Sequence, residues 1–145
     1  MENTQATTKN QKMKLDFKES KYATGRRKTS IAKVWLKKGS GKIYVNGKLF
    51  TDYFADDNHK MQITRPFEII NQPTDYDVRC SVKGGGPTGQ AGAMVHGISK
   101  ALVLFDGNLK TKLKTEKLTT RDSRAVERKK PGRRKARRSF QFSKR

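Results

Sequence analysis

The C-terminal segment of the chain is the feature that most restricts how it can fold. Residues 121–145 carry twelve Lys or Arg and only two Asp or Glu. They have Pro131-Gly132 near their centre and almost no apolar side chain before Phe140. A segment of this composition buries too little apolar surface to offset its conformational entropy. We therefore expect a tail, residues 121–145, that does not fold by itself.

The charge of the whole chain points to a polyanionic partner. The protein has 145 residues and a formal net charge of +21 at pH 7. Nearly half of this charge lies in the tail, and most of the rest lies in residues 22–120. Such charge repels itself in a compact molecule unless a polyanion neutralises it, and nucleic acid is the usual one. A chain of this length accommodates one ordinary domain, which excludes a multidomain enzyme.

Strand patterns lie within residues 22–120, whereas the polar residues 1–21 are expected to form an N-terminal extension. β-Branched and aromatic residues in 22–36 and 42–50 flank the glycines of 39–41, which predicts a hairpin or an adjacent strand pair. Asn46-Gly47 is typical of a second tight turn. Residues 75–83 alternate with a period of two and predict a strand with four side chains on one face: Tyr76, Val78, Cys80 and Val82.

Helical patterns lie between and after these strands. Thr51 is a candidate N-cap of a short helix, and another short helix around residues 60–70 is expected to be interrupted near Pro66. Residues 90–105 have apolar side chains at helical spacing and predict the main amphipathic helix. Strands with helices on one face predict an α+β, two-layer domain with a mostly antiparallel or mixed sheet.

The glycine segment 84–89 matches the spacing G-x-G-x-x-G between a predicted strand and a predicted helix. A dinucleotide site also needs a second parallel strand that ends in an acidic residue about 20 positions later. Asp106 is near that distance but follows the helix with no strand between, which disfavours dinucleotide binding. Two interpretations stay open. The helix N-terminus and Lys83 bind an RNA phosphate, or Gly84 to Gly86 only form a turn while Gly92 and Gly97 permit close packing of the helix on the sheet.

No residue pattern indicates catalysis, a metal or a cofactor. The single cysteine, Cys80, excludes an internal disulfide and fits a reducing compartment. The two histidines, His59 and His96, do not have the spacing of a metal site, and no nucleophile has an evident partner base. The longest apolar run, Ala101–Phe105, is far shorter than a membrane span. We therefore expect no enzyme, no cofactor and no membrane partner.

Three blocks in unbroken order resemble the small-subunit ribosomal protein S nine family, from about Tyr22 to Arg145. They are Thr24-Gly25-Arg26-Arg27-Lys28-Thr29-Ser30-Ile31-Ala32-Lys33-Val34, then Gly84-Gly85-Gly86-Pro87-Thr88-Gly89-Gln90-Ala91-Gly92-Ala93 with His96-Gly97-Ile98, and finally Thr120-Arg121-Asp122 through Glu127-Arg128-Lys129-Lys130 to Gln141-Phe142-Ser143-Lys144-Arg145. The resemblance implies a domain like the second domain of ribosomal protein S five, with a left-handed βαβ crossover. Residues 1–21 lie outside it.

The resemblance also implies partners and site residues. It places the protein in the head of the small subunit, bound to ribosomal RNA beside neighbouring ribosomal proteins, in a bacterial cytoplasm or in a mitochondrial matrix or plastid. The family's C-terminus reaches the anticodon stem-loop of the tRNA in the P site, and Ser143, Lys144 and Arg145 match that terminus. The expected ribosomal RNA contacts are Arg26, Arg27, Lys28, Lys83, Gly84, Gly85, Gly86, Gly89, Arg121, Arg124, Arg128, Lys129, Lys130, Arg133, Arg134, Lys135, Arg137 and Arg138.

Two other functions fit parts of the same sequence. A free-standing basic protein that binds nucleic acid or acts as an RNA chaperone has the same charge. A nucleotide-dependent enzyme accounts for the glycine segment but not for the tail. Phe140 and Phe142 have two open interpretations, because aromatic rings in a basic tail either stack on bases or pack in an apolar crevice.

Overall fold

The computed structural model describes residues 18–72 and 75–144. Most of the predicted extension, residues 1–17, lies outside this part, and Lys21 begins the first strand. Of residues 121–144, none lies in a helix or strand. The elements in chain order are β1 Lys21–Arg27, β2 Ser30–Lys38, β3 Ile43–Val45, β4 Lys48–Leu49, α1 Phe50–Tyr53, α2 Asp57–Ile69, β5 Tyr76–Lys83, α3 Pro87–Phe105 and α4 Leu109–Thr115.

The five strands form one mixed sheet in the order β1-β2-β5-β3-β4. β3 and β5 are parallel, and the other neighbours are antiparallel. Helices α1 and α2 connect the β3–β4 hairpin to β5, so β3 and β5 bound a βαβ crossover. Helix α3 packs across β1, β2 and β5, and α2 packs on α3. The predicted α+β, two-layer architecture is confirmed, while the left hand of the crossover stays a prediction.

The pairing predicted across Gly39–Gly41 is wrong, because β5 lies between β2 and β3. The Asp77 side chain holds the connection in this arrangement. Its Oδ1 accepts hydrogen bonds from the backbone N–H groups of Ser40 and Lys42, both at 2.9 Å. The connection is thereby tied to β5 and enters the sheet on the far side of that strand. Asn46 and Gly47, with φ of 50° and 85°, form the predicted tight turn.

A hairpin that the sequence patterns do not indicate joins β1 to β2 through Lys28 and Thr29. Lys28 has a φ of 51°, a left-handed conformation that favours Gly or Asn. Because neither residue type is present there, the local sequence gives no signal of the turn. The pairing of β1 with β2 over seven residues compensates for the unfavourable conformation.

Asp77 is expected to make a large contribution to the stability of this connection. Burial by itself raises the pKa of the Asp77 carboxyl, but hydrogen bonds from Lys42, Ser40 and Gly41 outweigh it and lower the pKa below the ordinary 3.8. Its stabilising effect is therefore complete above about pH 4 and is lost as the pH falls through the folded-state pKa. Asp77→Ala is expected to lower the free energy of unfolding by about 2 kcal/mol at pH 7, measured by urea denaturation.

The matched control is the neighbouring Asp75→Ala, which removes an exposed carboxylate. It is expected to change the free energy of unfolding by less than about 0.5 kcal/mol. Equal effects of the two substitutions would contradict the role given to Asp77.

The helices differ from their predicted limits in several places. Helix α1 begins at Phe50 with Leu49 as its N-cap, so Thr51 lies inside the helix and the predicted cap is wrong. Helix α2 runs without interruption past Pro66, which is buried inside it. Tertiary burial of that helix face outweighs the hydrogen bond that proline cannot donate. Helix α3 begins at Pro87, three residues before the predicted start, and the lysine-rich α4 has no counterpart among the predicted elements.

The core lies between the sheet and α3. The alternation predicted for β5 is confirmed, since its four named side chains are all buried. Burial raises the pKa of the Cys80 thiol to about 12, so this thiol stays protonated at neutral pH. Gly25 of β1 and Gly97 of α3 lie against each other, because a Cβ on Gly25 would overlap the Ala93 carbonyl oxygen and the Gly97 nitrogen. The close packing predicted for Gly97 is thereby confirmed. Among the described helices, none is long and apolar enough to cross a bilayer.

Candidate nucleic-acid interface

A basic cleft of about 580 Å³ lies where the end of β1, the helices α2 and α3, and the start of the tail meet. Six Lys or Arg side chains line it, against one carboxylate. Clustered arginines of this kind suit phosphate, because the planar guanidinium offers two parallel donors. The cleft is lined by Arg26, Arg27, Gln62, Arg65, Thr88, Gly92, Val95, His96, Lys117, Leu118, Thr120, Arg121, Asp122 and Arg124.

The single carboxylate of the cleft, Asp122, ties the tail to the domain. Its Oδ2 lies 3.2 Å from Nη1 of Arg27 and 2.8 Å from Nη2 of Arg124. The hydrogen bonds with Arg124, helped by the charge of Arg27, hold the pKa of Asp122 far below its ordinary value. The Arg27 side chain runs across α3 at Gly92, where a Cβ would overlap its Cδ. The glycine therefore sets the path by which Arg27 enters the cleft.

Contacts with neighbouring segments hold the part of the cleft wall that α2 contributes. Arg65 of α2 is paired with Glu116 at 2.8 Å between Nη2 and Oε2. Thr88, in the first turn of α3, lies 3.2 Å from Nε2 of His59 through its hydroxyl oxygen. These contacts join α2 to the segment after α4 and to the start of α3.

His96 lies on α3 beside the first residues of the tail. Its Nδ1 accepts a hydrogen bond from the backbone N–H of Arg26 at 3.3 Å, and the ring also bonds the backbone of Thr119. Burial and the nearby charge of Lys100 lower the pKa of His96 below its ordinary 6.5, and Arg121 adds to the effect. The imidazole is therefore neutral at neutral pH, as an acceptor of the Arg26 N–H must be.

We expect the His96 imidazole to titrate below pH 6.5, because its pKa is lowered in the folded protein. Its protonation removes the acceptor for the Arg26 N–H and adds a charge next to Lys100 and Arg121. The contribution of His96 to stability is complete above pH 6.5 and is lost as the pH falls through its folded-state pKa. Nitrogen-15 NMR is expected to give one common midpoint for the His96 ring and the Arg26 amide. An Arg26 amide that does not follow the ring would contradict the hydrogen bond.

The glycine segment 84–86 lies against the β1–β2 turn. Gly84 and Gly85 have φ of 74° and 67°, and a Cβ on either would crowd Thr29 or Ser30. The Ser30 hydroxyl also donates a hydrogen bond to the Gly84 carbonyl oxygen at 3.0 Å. Turn geometry therefore accounts for these two glycines. Gly86 has a φ of −104°, and a Cβ added to it would have nothing within 4 Å, so neither conformation nor space requires glycine there.

The exposed backbone at Gly86 leaves the start of α3 open, and Thr88 of that first turn reaches the basic cleft. The segment is not part of a dinucleotide-binding fold, because in the described chain α3 leads into α4 and not into a second parallel strand. What the segment offers chemically is backbone N–H groups next to the exposed Lys28 and Lys83.

Within the tail, two arginines make local contacts. Arg137 binds Glu127 through Nε at 2.9 Å and Nη2 at 3.2 Å, which raises the pKa of its guanidinium. The Arg134 guanidinium carbon lies 5.6 Å from the centre of the Phe140 ring. Phe140 is 60% exposed and Phe142 is 84% exposed. Both rings are thus accessible to a base that stacks on them or to an apolar crevice that takes them up.

The structure brings some predicted residues together and leaves others apart. Arg26, Arg27, Arg121 and Arg124 meet in the cleft. Ser143 and Lys144 are exposed at the end of the described chain, and Arg145 lies outside it. The other predicted tail residues do not line the cleft and are exposed: Arg128, Lys129, Lys130, Arg133, Arg134, Lys135, Arg137 and Arg138.

Sequence reasoning missed two cations of the cleft, Arg65 and Lys117. Arg65 lies on α2, more than 30 residues from the basic block at the end of β1, and no local motif connects them. Only the packing of α2 on α3 brings Arg65 to the cleft. Within the described residues, no group of three or more His, Cys, Asp or Glu side chains is placed to hold a metal ion.

Comparison with known families agrees with the basic character of the chain. The family model described as Ribosomal protein S9/S16 matches residues 25–145, which is most of the chain. The match includes the β1 arginines, the glycine segment and the tail. This family consists of structural proteins of the small ribosomal subunit that bind ribosomal RNA, and it is not a family of enzymes. The chain belongs to the ribosomal protein S nine family.

Proposed function

We propose that this protein docks on small-subunit ribosomal RNA through the basic cleft, and that its tail reaches the tRNA in the P site. The supporting observation is the cleft itself, where six cations from the end of β1, from α2 and from residues 117–124 come together at the start of the tail. A duplex or folded RNA presents closely spaced phosphates, and such a cluster releases several counterions on binding. In this proposal residues 22–120 form the docking domain and residues 121–145 form the tail.

The glycine segment extends the same docking surface. Lys83 directly precedes it, Lys28 lies in the β1–β2 turn against which it packs, and both are exposed. The bare backbone at Gly86 lets a phosphate approach the N–H groups that begin α3. Contacts of this kind position a protein on RNA without reading its sequence. They suit a protein whose partner is the fixed fold of one ribosomal RNA.

The tail is long enough to act at a distance from the domain. At about 3.3 Å per residue, 25 extended residues span up to roughly 80 Å. Its arginines and lysines are suited to line a path through RNA, and the terminal Ser143, Lys144 and Arg145 would contact tRNA phosphates. Since phosphate contacts do not depend on base identity, this end accepts every tRNA that enters the P site. The ribosome concerned is that of a bacterial cytoplasm or of an organelle.

Removal of residues 143–145 tests the tail. We expect small subunits to assemble with the shortened chain and to release P-site tRNA about tenfold faster, because one charge-assisted hydrogen bond contributes about 1.5 kcal/mol. Dissociation of labelled tRNA from programmed subunits measures the effect. Val126→Ala, a neutral change in the exposed tail, is the control and should leave the rate unchanged. Unaltered tRNA release after truncation would remove the tail from the proposal.

A further inference from the structure

The face of the sheet that α3 does not cover carries a row of aromatic side chains. The alternation of β2 buries Ala32, Val34 and Leu36 toward α3, so the intervening residues of the strand point to the opposite face. Trp35 on that face is half-buried, with Tyr22 directly opposite it on β1. We define the open face as the outward side chains of Tyr22, Ile31, Lys33, Trp35, Arg79 and Lys83.

The rings on the open face form a continuous surface. The ring centres of Tyr22 and Trp35 are 5.3 Å apart, and the Arg79 guanidinium carbon lies 5.8 Å from the centre of the Trp35 ring. The strand register aligns Tyr44 of β3 with Arg79, which continues the row. Tyr22 is 45% exposed and Ile31 is 40% exposed. The planes of the two rings are tilted by 44°, and the Arg79 guanidinium lies over the Trp35 ring, so π-systems and a guanidinium share one accessible surface.

Cationic side chains lie on the same face of the sheet as the rings. Lys33 precedes Trp35 by two residues on the same face, about 6.7 Å along the strand. Lys83 lies opposite Ile31 in the next row, and both lysines are exposed. The one carboxylate that β5 presents on this side, Asp77, is buried by the Ser40–Lys42 connection that it binds. The open face therefore combines the exposed Tyr22 ring and the half-buried Trp35 ring with cations that no exposed carboxylate of β1, β2 or β5 offsets.

We propose that the open face is a stacking platform for unpaired nucleobases of RNA. Single-stranded segments expose base faces that stack on aromatic rings, and their phosphates follow at a spacing that exposed lysines on the same face can meet. A duplex keeps its bases stacked internally and cannot use the rings. An apolar protein partner would leave Lys33, Arg79 and Lys83 desolvated, which is costly. The proposal rests on the RNA-binding function proposed above and adds a second surface, opposite α3, which adjoins the glycine segment at Lys83 and has a different mode of binding.

Trp35 is the only tryptophan of the chain, so its fluorescence reports on this face alone. The full chain is titrated with a labelled single-stranded RNA of about 12 nucleotides and with the corresponding duplex. We expect the single strand to quench Trp35 and the duplex to leave its emission nearly unchanged, although both raise the anisotropy of the RNA label. Binding of the single strand by anisotropy without quenching would overturn the platform and leave the proposed function intact. Absence of binding by either RNA would overturn both.

Substitutions give the second readout. Trp35→Ala is expected to weaken single-strand binding about tenfold and to leave duplex binding unchanged, whereas Trp35→Phe keeps a ring and should retain most of the affinity. Met61→Ala is the control, because Met61 is an exposed apolar residue of α2, outside the open face. Trp35 would instead have a structural role if Trp35→Ala weakened single-strand and duplex binding equally and Trp35→Phe restored neither affinity. That result would overturn the proposal.

The occupant in the assembled subunit is identified by a photo-crosslinking amino acid at position 35. Adducts to ribosomal RNA at unpaired nucleotides support the platform. Adducts to a neighbouring protein, or to paired RNA, would overturn it.

Discussion

Gly25→Ala is expected to lower the free energy of unfolding by about 4 kcal/mol, a large part of what a domain of this size has. Gly25 lies in β1 where α3 crosses it, and an added Cβ would overlap the Ala93 carbonyl oxygen and lie 2.9 Å from the Gly97 Cα. These neighbours are backbone atoms, so no change of side-chain rotamer relieves the overlap. The whole helix has to move, which also disturbs its packing on Val34. Urea denaturation followed by circular dichroism measures the loss.

Gly86→Ala is the matched control for this substitution. It adds the same methyl group where nothing lies within 4 Å and the backbone conformation accepts any residue. We expect a change within about 0.5 kcal/mol, in either direction. If the two substitutions had similar effects, the contact between β1 and α3 would not be as close as the structure has it.

The second large effect concerns the tail arginines. Replacing Arg133, Arg134, Arg137 and Arg138 with alanine is expected to reduce affinity for small-subunit ribosomal RNA by two to three orders of magnitude at about 0.15 M salt. Each lost phosphate contact also reduces the slope of log affinity against log salt by about 0.7–0.9. Filter binding over a series of salt concentrations measures both quantities. Arg137 is paired with Glu127 in the free chain, so its phosphate contact has to replace that pair.

A variant with the same change in net charge separates tail contacts from total charge. Lys48, Lys110, Lys112 and Lys114 are exposed residues of β4 and α4, and none of them lines the basic cleft. Their replacement by alanine is expected to lower affinity less than tenfold and to change the salt slope by less than about 1. Identical losses in the two variants would mean that only the overall charge of the chain matters.

Local sequence patterns predicted most elements but not the way in which they pair. The period-two alternation of residues 75–83 and the helical spacing of residues 90–105 indicated β5 and α3, because burial on one face imposes a period that is visible in the sequence. The β1–β2 turn at Lys28 was missed since it contains no turn residue. Helix α2 continues through Pro66 because packing on α3 outweighs the local signal.

The site was predictable where it is continuous in sequence. The tail cations and the arginines of β1 are recognisable as blocks, whereas Arg65 and Lys117 join the cleft only through the packing of α2 and the path of the chain after α4. The open face had a signal in the alternation of β2, which places Ile31, Lys33 and Trp35 on one side. The alternation alone does not predict whether a helix covers the side of β2 that carries these three residues.

The sequence by itself determined the basic character of the protein, its tail without helix or strand and its family, because charge, composition and ordered motifs do not depend on how distant segments meet. Tertiary structure alone decided that β5 lies between β2 and β3, an arrangement in which the buried Asp77 carboxylate binds the connection between β2 and β3. It also decided which face of the sheet α3 covers, and hence that basic residues gather in a cleft on one side while Trp35 faces the other. The physical reason is that both outcomes depend on contacts between segments that are tens of residues apart. The secondary-structure propensities of neighbouring residues contain no information about such contacts.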